Sequence, residues 1–214
     1  MDLIDQAVLE EWQGVVDILA QTLRVPSAVI TRFEAPMIEV VRTSQSEGNP
    51  YSSGLRVKML DHYCEGIFKT GRKVQIENAP EDPQWNNAPE IEYGIVSYLG
   101  LPIHYPDGDL FGTICVLDRT PNRYDKRSEK LLTHFRNLVE AHIQLAEKNR
   151  QLEDKIRQIQ TLHGILPICS FCKRIRNDEG YWEQVEKYIK THHGTDLTHS
   201  ICPECAKTHY PEFT

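Results

Sequence analysis

The spacing of apolar positions changes several times along the chain, and each change predicts a different element. Between residues 2 and 24, Leu3, Val8, Trp12, Val15, Val16, Leu19 and Leu23 approximate one helical face, which Pro26 ends. Two β-rich runs at 28–33 and 38–43, joined by Ala35-Pro36, read as a hairpin. Residues 45–55 are rich in Ser, Gly and Asn and predict a loop. Residues 60–70 return to a helical pattern, and Gly71 sits where a capping glycine belongs. A short strand at 73–77 precedes a Pro- and Asn-containing segment at 78–88. Strands at 97–105 and 110–118 flank Pro106-Asp107-Gly108-Asp109, a strong turn signal. From Asp125 a helix without Gly or Pro runs to about His163.

That last helix changes character midway. Leu138, Leu145, Leu152 and Ile159 recur at heptad spacing, with Phe135, His142, Asn149, Ile156 and His163 in the companion positions. Leucine at d with a single Asn at a is the pattern of a parallel two-stranded coiled coil. Lys148 at g and Glu153 at the following e could pair between chains. Packing on its own domain suits residues 131–138, but the helix beyond Gln144 is too long and polar for a core. A homodimer through residues 135–163 is the expectation.

Two Cys-x-x-Cys pairs near the C-terminus, Cys169/Cys172 and Cys202/Cys205, carry the sharpest chemical signal. Each places two sulfurs on one tight turn, and four thiolates suit a tetrahedral structural Zn²⁺. Redox and disulfide roles are the alternatives; the strand-then-helix setting of a redox pair is missing. His199 could substitute as a ligand. Tyr181, Trp182, Val185, Tyr188 and Ile189 predict an amphipathic helix over this site. So short a segment buries too little surface to fold alone, so ligation would supply stability.

Composition narrows the role. The chain has 214 residues, long enough for one medium domain plus an appendage, and a net charge of −7, which opposes general binding to phosphate backbones. No apolar run approaches a membrane span, and the N-terminus is acidic rather than signal-like, so a cytoplasmic, reducing location is expected for the six cysteines. No Ser/His/Asp set, phosphate-binding glycine loop or paired-His metal motif occurs in the first 145 residues.

Leu99-Gly100-Leu101-Pro102-Ile103, Phe111-Gly112-Thr113-Ile114-Cys115-Val116-Leu117-Asp118 and the Asn78-Ala79-Pro80-Glu81-Asp82-Pro83 loop resemble the matching segments of a GAF domain. The likeness covers about residues 5–145. The run from Gly164 to Cys205 resembles the zinc-ribbon-like tails of some bacterial signalling proteins. The resemblance implies an α+β chain: a GAF-like antiparallel sheet with flanking helices, a long C-terminal coiled-coil helix and a small zinc-bound module. Its expected divisions are a sensor domain at 1–143, a linker helix at 144–164 and a zinc-binding tail at 165–214, serving as output or as a dock for a signalling protein.

The resemblance also implies helices on one sheet face and a small-molecule cavity on the other, roofed by the 60–70 helix and the 78–95 loop. Alternation groups Tyr98, Gly100, Pro102 and His104 against Leu99, Leu101 and Ile103, and Thr113, Cys115 and Leu117 against Ile114 and Val116. Which set faces the cavity is left open by the pattern. Candidate lining residues are Phe33, Tyr63, Cys64, Ile67, Trp85, Tyr93, Tyr98, Thr113 and Cys115. A GAF relative, free methionine-R-sulfoxide reductase, uses cysteines beside its pocket. Here Cys64 falls within a predicted helix and Cys115 mid-strand, so buried inert thiols are expected, and a sensor rather than an enzyme. The Asp-Ile-Pro motif of pigment-binding relatives is absent.

Overall fold

The computed structural model describes residues 4–163, 167–177, 179–194, 196–198 and 200–213. Leu3, His199 and the side chains of Ile159 and His163 lie outside the described residues. The chain divides into two compact units, Met1–Leu152 and Glu153–Thr214. Among the described residues, no helix is long and apolar enough to cross a membrane.

The first unit opens with α1, Gln6–Leu23, whose first turn is capped by the Asp5 carboxylate accepting from the Val8 N–H at 2.9 Å. Strands β1 (Ser27–Glu34) and β2 (Met37–Thr43) form the expected hairpin. A short β3, Arg56–Lys58, then pairs with β2; three residues are too few to show alternation in sequence. Helix α2 spans Tyr63–Thr70, three residues shorter than the pattern predicted, because Asp61 adopts a positive φ of 63° and His62 is extended. Strand β4 (Val74–Ile76), short 3₁₀ turns at Ala79–Glu81 and Pro89–Tyr93, and the long hairpin β5 (Ser97–His104) and β6 (Leu110–Asp118) follow. Helix α3 runs Lys126–His163, with Asp125 accepting from the Ser128 N–H at 2.8 Å.

All six strands join one antiparallel sheet in the order β3-β2-β1-β6-β5-β4. Each central strand sends alternate side chains to opposite faces. Ala28, Ile30, Leu99, Leu101, Ile103, Ile114 and Val116 meet Trp12, Val16 and Leu19 of α1 and Leu132, Val139 and Ile143 of α3. The other face carries Val29, Val40, Tyr98, Cys115 and Leu117, covered by Tyr63 and Ile67 of α2 and by Trp85 and Ile95. The structure thereby decides the question that alternation left open.

Two glycines of the hairpin are required by close approach. A Cβ on Gly112 would stand 1.8 Å from the Thr31 carbonyl oxygen, where β1 and β6 meet. A Cβ on Gly100 would stand 2.1 Å from the Tyr98 hydroxyl, so the missing side chain is what lets the Tyr98 ring lie flat over β5.

The heptad line of α3 stays outside this core. Leu138, Leu145, Leu152 and Ile156 are 42, 58, 57 and 55 % exposed. The first two companion positions are used differently from the predicted seam. Phe135 packs half-buried against the domain core, and His142 Nδ1 accepts from Trp12 Nε1 at 3.2 Å.

In the second unit, β7 (Ile175–Arg176) and β8 (Trp182–Glu183) form a small hairpin, followed by α4 (Val185–His193) and α5 (Pro203–His209). Tyr181 and Trp182 precede α4 rather than belonging to it, a correction to the amphipathic helix predicted there. They extend because the Asn177–Gly180 turn, with Gly180 at φ 89°, commits residues 182–183 to pairing with β7. Ile175 and Tyr188 are the buried apolar side chains among the described residues of this unit.

Candidate ligand cavity and cysteine tail

On the α2 face of the sheet lies a cavity of about 240 Å³. Its floor is Val29 and Thr31 of β1, Ile38 and Val40 of β2, Val57 of β3, Tyr98 of β5, and Cys115 and Leu117 of β6. Its walls are Pro50, Tyr51, Ser52 and Leu55 from the β2–β3 loop, His62 and Cys64 at the start of α2, and Glu90 and Tyr93 from the second 3₁₀ turn. The apolar floor follows from strand alternation, whereas the polar groups enter from loops and a helix start.

Glu90 is buried, at 4 % exposure. One carboxylate oxygen, Oε1, accepts from His62 Nδ1 at 2.9 Å and from the Tyr63 N–H at 3.2 Å. The other, Oε2, is buried without a hydrogen-bond partner, as is the Tyr51 hydroxyl. Burial works against the charged form of His62, but the hydrogen bond and negative charge of Glu90 outweigh it and raise its pKa. Burial, with the Glu90 charge added, pushes the Tyr51 hydroxyl well up, so it stays protonated.

The thiols form a second polar group. Cys64 Sγ lies 3.4 Å from the Tyr98 hydroxyl and 3.5 Å from Thr113 Oγ1, and Thr113 Oγ1 is 2.7 Å from Thr31 Oγ1. Cys115 Sγ donates to the Val29 carbonyl at 3.6 Å. Hydrogen bonding from Cys115, then from Thr113 and Tyr98, draws the Cys64 thiol down despite burial, while burial pushes Cys115 up. Sequence reasoning missed this because the donors come from strands far away in the chain, and because the predicted helix began earlier than α2 does.

Of the nine candidate lining residues, Cys64, Tyr93, Tyr98 and Cys115 line the cavity. Thr113 stands behind them in the hydrogen-bond set. Tyr63, Ile67 and Trp85 are core residues beneath α2; the Tyr63 ring meets Trp85 edge-on at 5.8 Å and its hydroxyl donates to the Ile95 carbonyl. Phe33 instead packs edge-on against Phe68 at 5.2 Å. Glu90, His62 and Tyr51 were not predicted, and no periodicity or motif in the chain marks them.

In the tail, Lys173 takes a left-handed φ of 59° and its N–H bonds the Cys169 carbonyl at 3.0 Å, closing the first cysteine turn. The second turn opens α5, with the Cys205 N–H pointing at Cys202 Sγ at 3.5 Å. Backbone N–H groups, of Cys172 then Phe171 in the first turn and of Cys205 in the second, hold the Cys169 and Cys202 thiols below their ordinary range. At one cysteine of each turn these N–H groups favour the thiolate, the form a metal binds. Among the described residues, no group of three or more His, Cys, Asp or Glu side chains is gathered as a metal set.

The family model for the GAF domain matches residues 8–143, and the chain belongs to that family. It is 34 % identical over 61 residues to the diguanylate cyclase DgcP of Escherichia coli, covering 28 % of this chain and 18 % of that protein. It is 25 % identical over 158 residues to the cyclic di-GMP phosphodiesterase PA2567 of Pseudomonas aeruginosa, covering 71 % of this chain and 26 % of the relative. The chain thus spans about a quarter or less of the length of these two curated relatives. Among solved structures, the type II free methionine-R-sulfoxide reductase of Thermoplasma acidophilum is similar in fold, with a TM-score of 0.54 at 14 % identity, over 66 % of this chain and 95 % of that one.

Proposed function

We propose that this protein is a small-molecule-sensing signalling module, with the cavity on the α2 face as its input. The observation that carries the reading is a cavity of about 240 Å³ with a largely apolar floor and the His62–Glu90 pair and Tyr51 in its walls. The kinship with two cyclic di-GMP enzymes supports a role in regulating that signalling chemistry. Val40→Phe fills the cavity from its floor and tests the reading. Native mass spectrometry should find a small molecule carried by the wild-type protein and released on denaturation, and lost from the variant. Carriage of the same molecule by both proteins would sink the assignment of this cavity.

The output half of the proposal is the tail. Cys169, Cys172, Cys202 and Cys205 hold one structural Zn²⁺, and the module docks a signalling protein. The exposed heptad line of α3 meets the same line on a second copy, giving a homodimer whose helix register responds to the cavity. Elemental analysis at one zinc per chain and a two-chain mass are the expected results.

A second reading is a thiol reductase, favoured by the pairing of a lowered Cys64 thiol with Cys115 at one cavity. Turnover of free methionine sulfoxide that Cys64→Ser abolishes would establish it; no turnover leaves the sensor reading.

A further inference from the structure

We propose that residues 49–53 are a lid on the cavity, hinged at Gly48 and Gly54 and latched shut by the Asn49 side chain. The inference deepens the sensor reading, by saying how a molecule enters, and rests on it. Pro50, Tyr51 and Ser52 of this segment form one wall of the cavity. Gly48 and Gly54 bracket it at φ of 82° and 85°, the left-handed region that favours glycine. A Cβ on Gly54 would meet nothing within 4 Å, and one on Gly48 only Arg119 and Pro26 at 3.8 and 3.9 Å. Both positions therefore have room to turn, as hinge residues must.

The latch is a saturated amide. Asn49 Oδ1 accepts from the Ser27 hydroxyl at 2.8 Å and from the Tyr51 N–H at 3.1 Å. Its Nδ2 donates to Thr43 Oγ1 at 2.7 Å and to the Ser44 carbonyl at 2.5 Å. Two donors and two acceptor sites are all that an amide side chain has, and each is used. Ser27 opens β1 and Thr43 closes β2, so the latch ties the lid to the sheet. Among the described residues, the lid's hydrogen bonds to the sheet all pass through Asn49. At the first hinge, Arg119 Nη2 adds a bond to the Gly48 carbonyl at 2.9 Å. The Tyr51 ring completes the closure, half-buried against the core on the α2 face. Its hydroxyl is buried there without a partner among the described residues, and opening returns it to water. One amide and one ring thus work against an unmatched hydroxyl, the balance of a wall that can open.

Cys64 and Cys115 line the cavity and report its opening whatever the ligand. The full chain is treated with iodoacetamide, and peptide mass spectrometry separates their labelling from that of the four tail cysteines. Both should react slowly, at a rate that stays flat with urea below the unfolding transition, since lid opening exposes little surface. Asn49→Ala should speed both at least about tenfold, the effect of losing one or more net hydrogen bonds. Arg119→Ala, an exposed change, should speed them a few-fold. Leu132→Ala, on the opposite sheet face, lowers global stability and should leave the flat rate unchanged. Wild-type rates in either the Asn49 or the Arg119 variant overturn the lid. So does a rate that climbs with urea from the start, or one that Leu132→Ala raises as much as Asn49→Ala does. The sensor reading is decided separately, by the molecule carried by wild type and not by Val40→Phe.

Discussion

The GAF domain and the cysteine tail solve the problem of folding in opposite ways. The domain buries two apolar layers, one on each sheet face, from Trp12 and Leu132 on one side to Tyr63 and Ile67 on the other. The tail buries Ile175 and Tyr188, and leaves Phe171 96 % and Tyr181 70 % exposed. A domain with its own core can spare one face for a cavity and an unmatched carboxylate. With two buried apolar side chains among its described residues, the tail has no such reserve, and the metal proposed above would supply its order.

The largest effect that would sharpen the contrast is metal removal. A chelator, or Cys202→Ser, should abolish order in the tail, because structural zinc contributes about 10–16 kcal/mol to modules of this size. Hydrogen exchange should show the tail amides losing protection while those of β5 and β6 keep theirs; equal loss in both would break the comparison. Next comes the domain core. Leu132→Ala empties a fully buried position and should cost about 2–5 kcal/mol in urea unfolding. Gly112→Ala should cost about 1–3 kcal/mol or more, since its Cβ meets the Thr31 carbonyl, and the loss should appear in the same transition.

The smallest effect is in pH. Because the folded state raises the His62 pKa, the His62–Glu90 contribution is fully present below the unfolded value of about 6.5. It is lost as pH rises through the raised folded value. Urea midpoints should therefore fall slightly across that window in wild type, and the fall should vanish in Glu90→Gln.

Much of this was legible from spacing. The α1 face, the β1–β2 and β5–β6 hairpins and the break at Pro106-Asp107-Gly108 are local matters of period and turn chemistry, and they appear in the structure within a few residues of their predicted bounds. So do the two side-chain sets of β5, since alternation is a property of the strand itself. Cys64, Tyr93, Tyr98 and Cys115 stood among the candidates because the GAF resemblance sets their segments around a cavity. Phe33, Tyr63, Ile67 and Trp85 were not separable from them, since core and cavity wall share one composition.

The chain alone determined most of the helices and strands, the two side-chain sets that alternate along the central strands, and the two Cys-x-x-Cys turns. Only the tertiary structure decided which face holds the cavity, and that Glu90, His62 and Tyr51 meet there. Those three lie in separate loops and turns, where no repeat constrains them, and their electrostatics arise from neighbours that only folding brings within a hydrogen bond's reach.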